Sequence, residues 1–297
     1  MVKLSAIQLT STPDIEANLA VIDGLLTRLE PTVEHLVVLP ECCLCFGGND
    51  QTIFQLAQKN QLTNSLTSSL SGLAKKHQVT LVAGTIPELS RSGQKYRNTS
   101  FVFSPNGEVL GHYDKIHLFD ANVDDRLDDG QAHYLESSFT QAGEQVSMVD
   151  IGFAKLGLSV CYDLRFPEIF LHYVLNESVD LFLVPAAFTT KTGKTHWKSL
   201  LVARAIECQA FVLAAAQVGY HRDLKKEKLR KSWGQSLAIG PWGKILQETE
   251  SFEAFLDSCL TDHPPINSVL DQEDIRSYRS SIPVNQHRRY TVELKEK

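Results

Sequence analysis

The stretch from Lys155 to Glu168, KLGLSVCYDLRFPE, reads as a strand, a thiol at its end and the start of a helix. Lys155 to Val160 is a short, largely apolar run of the kind that forms a buried strand. Cys161 stands immediately beyond it. Pro167 sits where a helix can begin, because its fixed φ and missing N–H suit the first turn, and Phe170 and Val174 continue at helical spacing. A strand feeding a helix is the unit of an α/β fold. In such sheets ligands bind in the crevice outside the carboxyl ends of the strands, which is where Cys161 falls.

Outward from this segment the same alternation repeats. Upstream, Leu4 to Leu9 reads as a strand, and Asp14 caps a helix whose apolar residues Ile15, Leu19, Ile22, Leu25, Leu26 and Leu29 recur at helical spacing. HLVVL (His35 to Leu39) is a buried strand stopped by Pro40. A helix ending near His77 leads into a strand at Thr80 to Ala83. Thr99 to Phe103 and Val109 to Tyr113 form a hairpin about Asn106-Gly107. Val146 to Ile151 pairs with the Lys155 strand across a turn at Gly152. Downstream come a strand at Leu181 to Val184, a helix at Trp197 to Gln209 and a strand at Phe211 to Gln217. A pair of strands follows at Gly234 to Ile239 and Ile245 to Gln247, and Phe252 to Leu260 reads as a last strand before a helical, basic tail. Asp120 to Gly143 and His221 to Lys231 read as long loops, the second as a solvated charged excursion. No Pro/Gly/Ser linker or repeat divides the chain, so residues 1–297 are expected to form one domain with a tail from about residue 267.

With 297 residues, 43% hydrophobic and 22% charged, the chain can bury a core without disulfides or metals. A formal net charge of -6 argues against an extended basic surface for nucleic acid. The N-terminus lacks the apolar core and cleavage site of a signal peptide, and no apolar run reaches membrane-spanning length. Six unevenly spread cysteines fit reduced thiols better than a disulfide framework. A cytosolic protein without a membrane segment is the expectation.

Three reactive side chains stand just beyond strands: Glu41 after LVVLP, Lys115 after Tyr113, and Cys161 after KLGLSV. A carboxylate, an ammonium and a thiol meeting at strand ends suit acyl transfer. The thiol needs a base to attack, and the tetrahedral intermediate needs a positive or hydrogen-bonding partner. Taken singly, each has a plainer reading. A cysteine ending a buried strand is more often an inert small hydrophobe, and a lone Glu or Lys is usually solvated. Cys42, Cys43 and Cys45 cluster beside Glu41, but they lack the paired spacing or His partners of a zinc site, so no metal is expected. His117 and His196 read as satisfied structural histidines. Arg165 and Glu168 are placed to form an ion pair.

Three segments together resemble the nitrilase, or carbon–nitrogen hydrolase, superfamily. Leu39-Pro40-Glu41 is similar to its general-base motif, Tyr113-Asp114-Lys115-Ile116-His117-Leu118-Phe119 to its lysine motif, and Gly157 to Glu168 to its nucleophile motif. The resemblance implies a four-layer α-β-β-α sandwich and hydrolysis of a linear amide without any metal or organic cofactor. It implies that Glu41 takes the proton of the Cys161 thiol, that Cys161 forms a thioester, and that Lys115 with the Tyr162 backbone N–H holds the oxyanion. It further implies a second glutamate between Lys115 and Cys161. Glu136, ahead of Ala142-Gly143, fits this place, with Asp128 and Asp129 as rivals.

Pro185-Ala186-Ala187-Phe188, Thr192-Gly193 and His196-Trp197 resemble the branch that holds omega-amidase and deaminated glutathione amidase, whose substrates are 2-oxo acids bearing an amide. That likeness implies Phe188 and Thr192 in the pocket and Arg165 on a substrate carboxylate. Ala214-Ala215-Ala216-Gln217 and the tail Ile282 to Arg289 favour the deaminated glutathione side. Omega-amidase is the runner-up, and a catalytically silent binding protein is the contrasting class. Rapid alkylation of an activated thiolate near neutral pH would set an enzyme apart from the silent relative. Relatives pair through helices, so a homodimer or larger homo-oligomer is implied, with the tail after Asn267 reaching toward a partner subunit.

Overall fold

A computed structural model of the chain describes residues 2–30, 32, 34–47, 50–125, 130–221, 230–254 and 263–293. The first half runs β1 (Val2–Ala6), α1 (Ile15–Thr27), β2 (His35–Val38), α2 (Asp50–Thr63), α3 (Ser65–His77), β3 (Thr80–Leu89), β4 (Tyr96–Phe103) and β5 (Val109–Asp114), then a hairpin of β6 (Asp120–Asp125) and β7 (Gly130–Leu135). The second half runs β8 (Met148–Asp150), β9 (Lys155–Leu158), α4 (Pro167–Asn176), β10 (Leu181–Leu183), α5 (Lys198–Cys208), β11 (Phe211–Ala214), β12 (Val218–His221), β13 (Arg230–Trp233), β14 (Leu237–Ile239), β15 (Ile245–Glu248), β16 (Ile266–Leu270) and α6 (Gln272–Ser281).

The period-two alternation of the first strands decides the layering. Leu4, Ala6, Leu36, Val38, Val82 and Val102 join one buried cluster. Their neighbours Val37, Leu39, Leu81, Ala83 and Phe103 join another. Both faces of that sheet are therefore covered. On the outer face lie α1 and α3, through Ile22, Leu25, Leu26, Leu66, Leu70 and Ala74. Asp14 caps α1 as its sequence position predicts, accepting from the N–H of Ala17 at 3.1 Å. On the inner face lies a second sheet, whose far side is covered by α4 and α5 through Phe170, Tyr173, Leu201 and Ala205. Each such side chain contributes roughly 1.5–3 kcal/mol on burial. The result is the expected four-layer α-β-β-α sandwich.

The two sheets share one plan. Their orders are β16-β1-β2-β3-β4-β5 and β15-β14-β11-β10-β9-β8. In each, three central strands run parallel and antiparallel strands flank them. Among the described residues no helix is long and apolar enough to cross a membrane.

Two expectations are corrected. Asp120 to Gly143 is not one long loop: β6 and β7 pair antiparallel, with Ala121 opposite Tyr134 and Val123 opposite Ala132. The two strands thus pair in a hairpin that its acidic composition concealed. Phe252 to Leu260 does not open as a strand, since Phe252, Glu253 and Ala254 are helical; residues 255–260 lie outside the described residues. Phe252 and Phe255 are three apart, a helical spacing. The final strand is β16, whose Asn267 to Leu270 pair with β1, and α6 docks on its own chain, with Arg279 donating to the Val179 carbonyl at 2.6 Å. Residues 267–281 thus make these contacts within their own chain. Of the charged run His221 to Lys231, only the ends are described, as the facing ends of β12 and β13.

Candidate active site

Glu41 follows β2 on a turn that three contacts hold. The Cys42 N–H donates to Thr85 Oγ1 at 2.9 Å, and the Glu41 carbonyl accepts from Gln217 Nε2 at 3.0 Å. The third is a close backbone approach: a Cβ on Gly84 would lie 2.0 Å from the Pro40 carbonyl oxygen, so β3 passes this turn only as glycine. Cys42 itself has φ +57°, a left-handed conformation unusual for a side chain of its type.

Lys115 follows β5 and is 3% exposed. Its N–H donates to the Asn98 carbonyl at 3.0 Å and its own carbonyl accepts from Gly143 at 2.8 Å. A Cβ on Gly143 would come within 2.1 Å of the Asp114 oxygen, so this approach too requires glycine. The ammonium lies 2.9 Å from Glu41 Oε1 and 2.9 Å from Glu136 Oε2. Burial alone would push the Lys115 pKa down, but the carboxylates of Glu136 and Glu41 outweigh it and hold it well above the usual lysine range.

Glu136 lies on a short 3-10 turn, Glu136–Ser138, after β7. It accepts from Asn98 Nδ2 at 2.7 Å and from the Phe119 N–H at 2.7 Å, besides Lys115. Of the candidates in the acidic segment, Glu136 is therefore the one that meets Lys115; Asp128 and Asp129 lie outside the described residues.

Cys161 begins a 3-10 turn, Cys161–Arg165, at the end of the β9 segment, and is 8% exposed. Its φ of +50° strains the backbone, and its N–H is anchored on the Pro185 carbonyl at 2.9 Å. Glu41 lies near enough to the thiol for its charge to act on it, and its Oε2 accepts from the Ala187 N–H at 3.0 Å. Burial pushes the thiol pKa well above its ordinary value and the Glu41 charge pushes it further, while Lys115 opposes both. Two carboxylates around one ammonium thus oppose a second negative charge on the sulfur, in keeping with a base that takes the thiol proton during attack. Among the described residues none accepts the N–H of Tyr162, which leaves that donor available beside Cys161.

Asp163 ties the lysine and cysteine segments together. Fully buried, it accepts from Tyr113 Oη at 2.8 Å, the Val160 N–H at 2.8 Å, the His117 N–H at 2.9 Å and His117 Nδ1 at 2.7 Å. The His117 ring stacks on Phe166, centroids 3.6 Å apart. His117 is thus a structural histidine, as its sequence reading has it. His196 instead bonds Arg165, Nδ1 to NH1 at 3.2 Å. That contact, and not a pair with Glu168, is the polar partner of Arg165 among the described residues. The Arg165 guanidinium also lies 5.4 Å from the Phe188 ring centroid and 5.9 Å from that of Tyr162. Thr192 sits one turn beyond Phe188 and bonds back to Thr189, hydroxyl to hydroxyl at 2.9 Å.

Asn98 carries no weight in the sequence reading, and Asp163 and Gln217 enter it only as members of matched segments, with no role of their own. Asn98, Thr99 and Ser100 do leave a trace, as consecutive polar residues inside an otherwise apolar strand, and all three are buried.

The description "Carbon-nitrogen hydrolase" belongs to the family model that matches residues 3–256. Among curated proteins, a deaminated glutathione amidase from Synechocystis is 39% identical over 289 residues, covering 96% of this chain and 97% of its own. The omega-amidase NIT3 of Saccharomyces cerevisiae is 31% identical over 304 residues, with 98% and 94% covered. Among solved structures, the NitFhit protein of C. elegans superposes with a TM-score of 0.82 at 31% identity, covering all of this chain and 68% of that one.

Proposed function

The chain belongs to the carbon–nitrogen hydrolase family, and from that premise we propose that it cleaves the internal amide of deaminated glutathione, releasing 2-oxoglutarate and cysteinylglycine. The observation that carries the mechanism is that Glu41 accepts from Lys115 Nζ at 2.9 Å and from the Ala187 N–H at 3.0 Å, in the pocket where its charge acts on the Cys161 thiol. The support for the substrate is the near full-length likeness to the Synechocystis amidase, together with Arg165, whose planar fork suits a carboxylate.

Glu41 takes the thiol proton as the sulfur attacks the amide carbon. The oxyanion forms beside Lys115 Nζ and the Tyr162 N–H, and loss of one such donor typically costs about a hundredfold or more in rate. On collapse the C–N bond breaks, Glu41 returns the proton to the departing amine, and a thioester remains on Cys161. Glu41 next deprotonates water, which attacks the thioester; the sulfur leaves and is reprotonated. Glu136 holds Lys115 in place throughout. Phe188 and Thr192 line the acyl side of the pocket and Arg165 receives the 2-oxo acid carboxylate. No cofactor enters these steps.

The test compares release of 2-oxoglutarate from deaminated glutathione and from 2-oxoglutaramate, with wild type and Cys161→Ala. Preference for the first with a dead variant supports the whole reading. Preference for 2-oxoglutaramate moves the substrate to the omega-amidase side, as the NIT3 likeness allows, and keeps the mechanism. Full activity in Cys161→Ala overturns the mechanism, and no activity on any amide returns the chain to a binding role. The unpaired thiols, free at five described positions, support a cytosolic setting. Ile206, Trp242 and Ile282, exposed around the Trp242–Tyr278 stack, support a homodimer through the α5 face, which the mass in solution tests.

A further inference from the structure

An aromatic rim connects two arginines across the mouth of the pocket. From Arg165 it passes to Tyr162, then to Phe119 (centroids 5.0 Å apart), then to Tyr134 (5.2 Å). At the far end stands Arg230, the first residue of β13, its guanidinium 5.4 Å from the Tyr134 centroid and 4.6 Å from that of Phe46. Phe46 comes from the segment after Glu41, and Tyr134 lies two residues before Glu136. Arg230 is therefore gripped by the two segments that carry the carboxylates of the site. It is close enough to Cys42, next to Glu41, for its charge to act on that thiol alongside those of Lys115 and Glu136.

The other end of β13 belongs to the acyl side of the pocket. Trp233 donates its N–H to the Phe188 carbonyl at 2.9 Å, and Ser232 bridges Thr189. One short strand thus runs from the Phe188 side to the Phe46 side, and carries a second guanidinium at its Phe46 end. Ring contacts occupy the faces of that guanidinium and leave its in-plane N–H edge for an acceptor. Its Nε is buried and has no hydrogen-bond partner among the described residues. A guanidinium whose Nε is buried without a partner is complementary to an anion that can reach its edge.

We infer that Arg230 is a specificity-determining residue that binds a carboxylate on the amine side of the scissile amide, opposite the acyl-side carboxylate held by Arg165. This deepens the deaminated glutathione reading and rests on it, since that substrate carries a carboxylate at each end. An amide whose leaving group is ammonia has nothing for Arg230 to hold.

The experiment measures kcat/KM of wild type, Arg230→Gln and Arg230→Lys on three amides: deaminated glutathione, its C-terminal carboxamide, and 2-oxoglutaramate. Arg230→Gln is expected to lose about ten- to hundredfold on deaminated glutathione, mainly in KM, as loss of a charged hydrogen bond implies. It should be unchanged on 2-oxoglutaramate, which also reports that the variant is folded. Wild type should discriminate against the carboxamide by a similar factor and Arg230→Gln should not, while Arg230→Lys recovers part of the loss. Equal losses on all three substrates, or none on any, overturn the inference and leave the substrate reading standing. A wild type that cleaves 2-oxoglutaramate but no amide with an amine-side carboxylate overturns both.

Discussion

Lys115 Nζ and Glu41 Oε1 meet at 2.9 Å where neither side chain is more than 6% exposed, and Glu136 closes on the same ammonium from its other side. One cation thus bridges two carboxylates within the core. Lys115→Met would strand both charges, and breaking a buried pair from one side costs about 3–5 kcal/mol. Urea unfolding should show that loss, with turnover falling by about a hundredfold or more. Unaltered stability would mean that water reaches the cluster freely.

The Glu41 charge raises the Cys161 pKa even though Glu41 is the proposed base. Glu41→Gln should therefore move the pH profile of Cys161 alkylation to lower pH while removing about a hundredfold or more of turnover, the range of a general base. Peptide mapping separates Cys161 from the partly exposed Cys42. An alkylation profile shifted to higher pH would show that Glu41 stabilises a thiolate instead.

Asn98 fixes Glu136 at 2.7 Å without reaching the thiol. Asn98→Leu should lower kcat by about tenfold and leave KM nearly unchanged, because the lost bond is to a charged acceptor in the supporting layer. The alkylation profile of Cys161 should not move. A rise in KM alone would place Asn98 in substrate binding.

Much of this arrangement was legible before any coordinates. Glu41, Lys115 and Cys161 each follow a strand, which with the motifs around them pointed to one edge, and the family resemblance implied a second glutamate that Glu136 fits beside Asp128 and Asp129. What supports them was not legible. Asn98, Asp163 and Gln217 act through distances set by packing the two sheets, and a polar residue within a strand looks the same whether it holds a catalytic group or faces water. The β6–β7 hairpin was hidden because its acidic residues resemble a solvated loop. The partnership of Arg230 with Phe46 and Tyr134 joins three segments far apart in the chain, which no local pattern reports.

Gly84 supports the Glu41 turn by what it lacks. A methyl group there would sit 2.0 Å from the Pro40 oxygen, so Gly84→Ala must displace the backbone that aims Glu41. A loss of at least about 1–3 kcal/mol is expected, the range for overpacking, with kcat falling out of proportion to the folded fraction. Wild-type activity per folded molecule would show that the turn tolerates the shift.

Two buried imidazoles give the fold an acid-sensitive limb. Burial pushes His35 from 6.5 down to about 4, with its Nε2 2.8 Å from Ser5 Oγ and its Nδ1 unpartnered among the described residues. His221, in contact with the Phe46 ring and bonded to the Ser11 carbonyl at 2.9 Å, is likewise pushed down to about 4. Below 6.5 the unfolded chain takes up protons at both positions while the folded chain does not, so folding stability is complete above that pH and declines as the pH falls toward 4. Below about 4 both states are protonated and these two groups add no further slope. Urea unfolding from about pH 7.5 down to about 4.5 should trace the decline, and His35→Gln, which keeps a donor for the Ser5 hydroxyl but cannot titrate, should flatten it. An identical slope in wild type and variant would assign the acid limb to carboxylates instead.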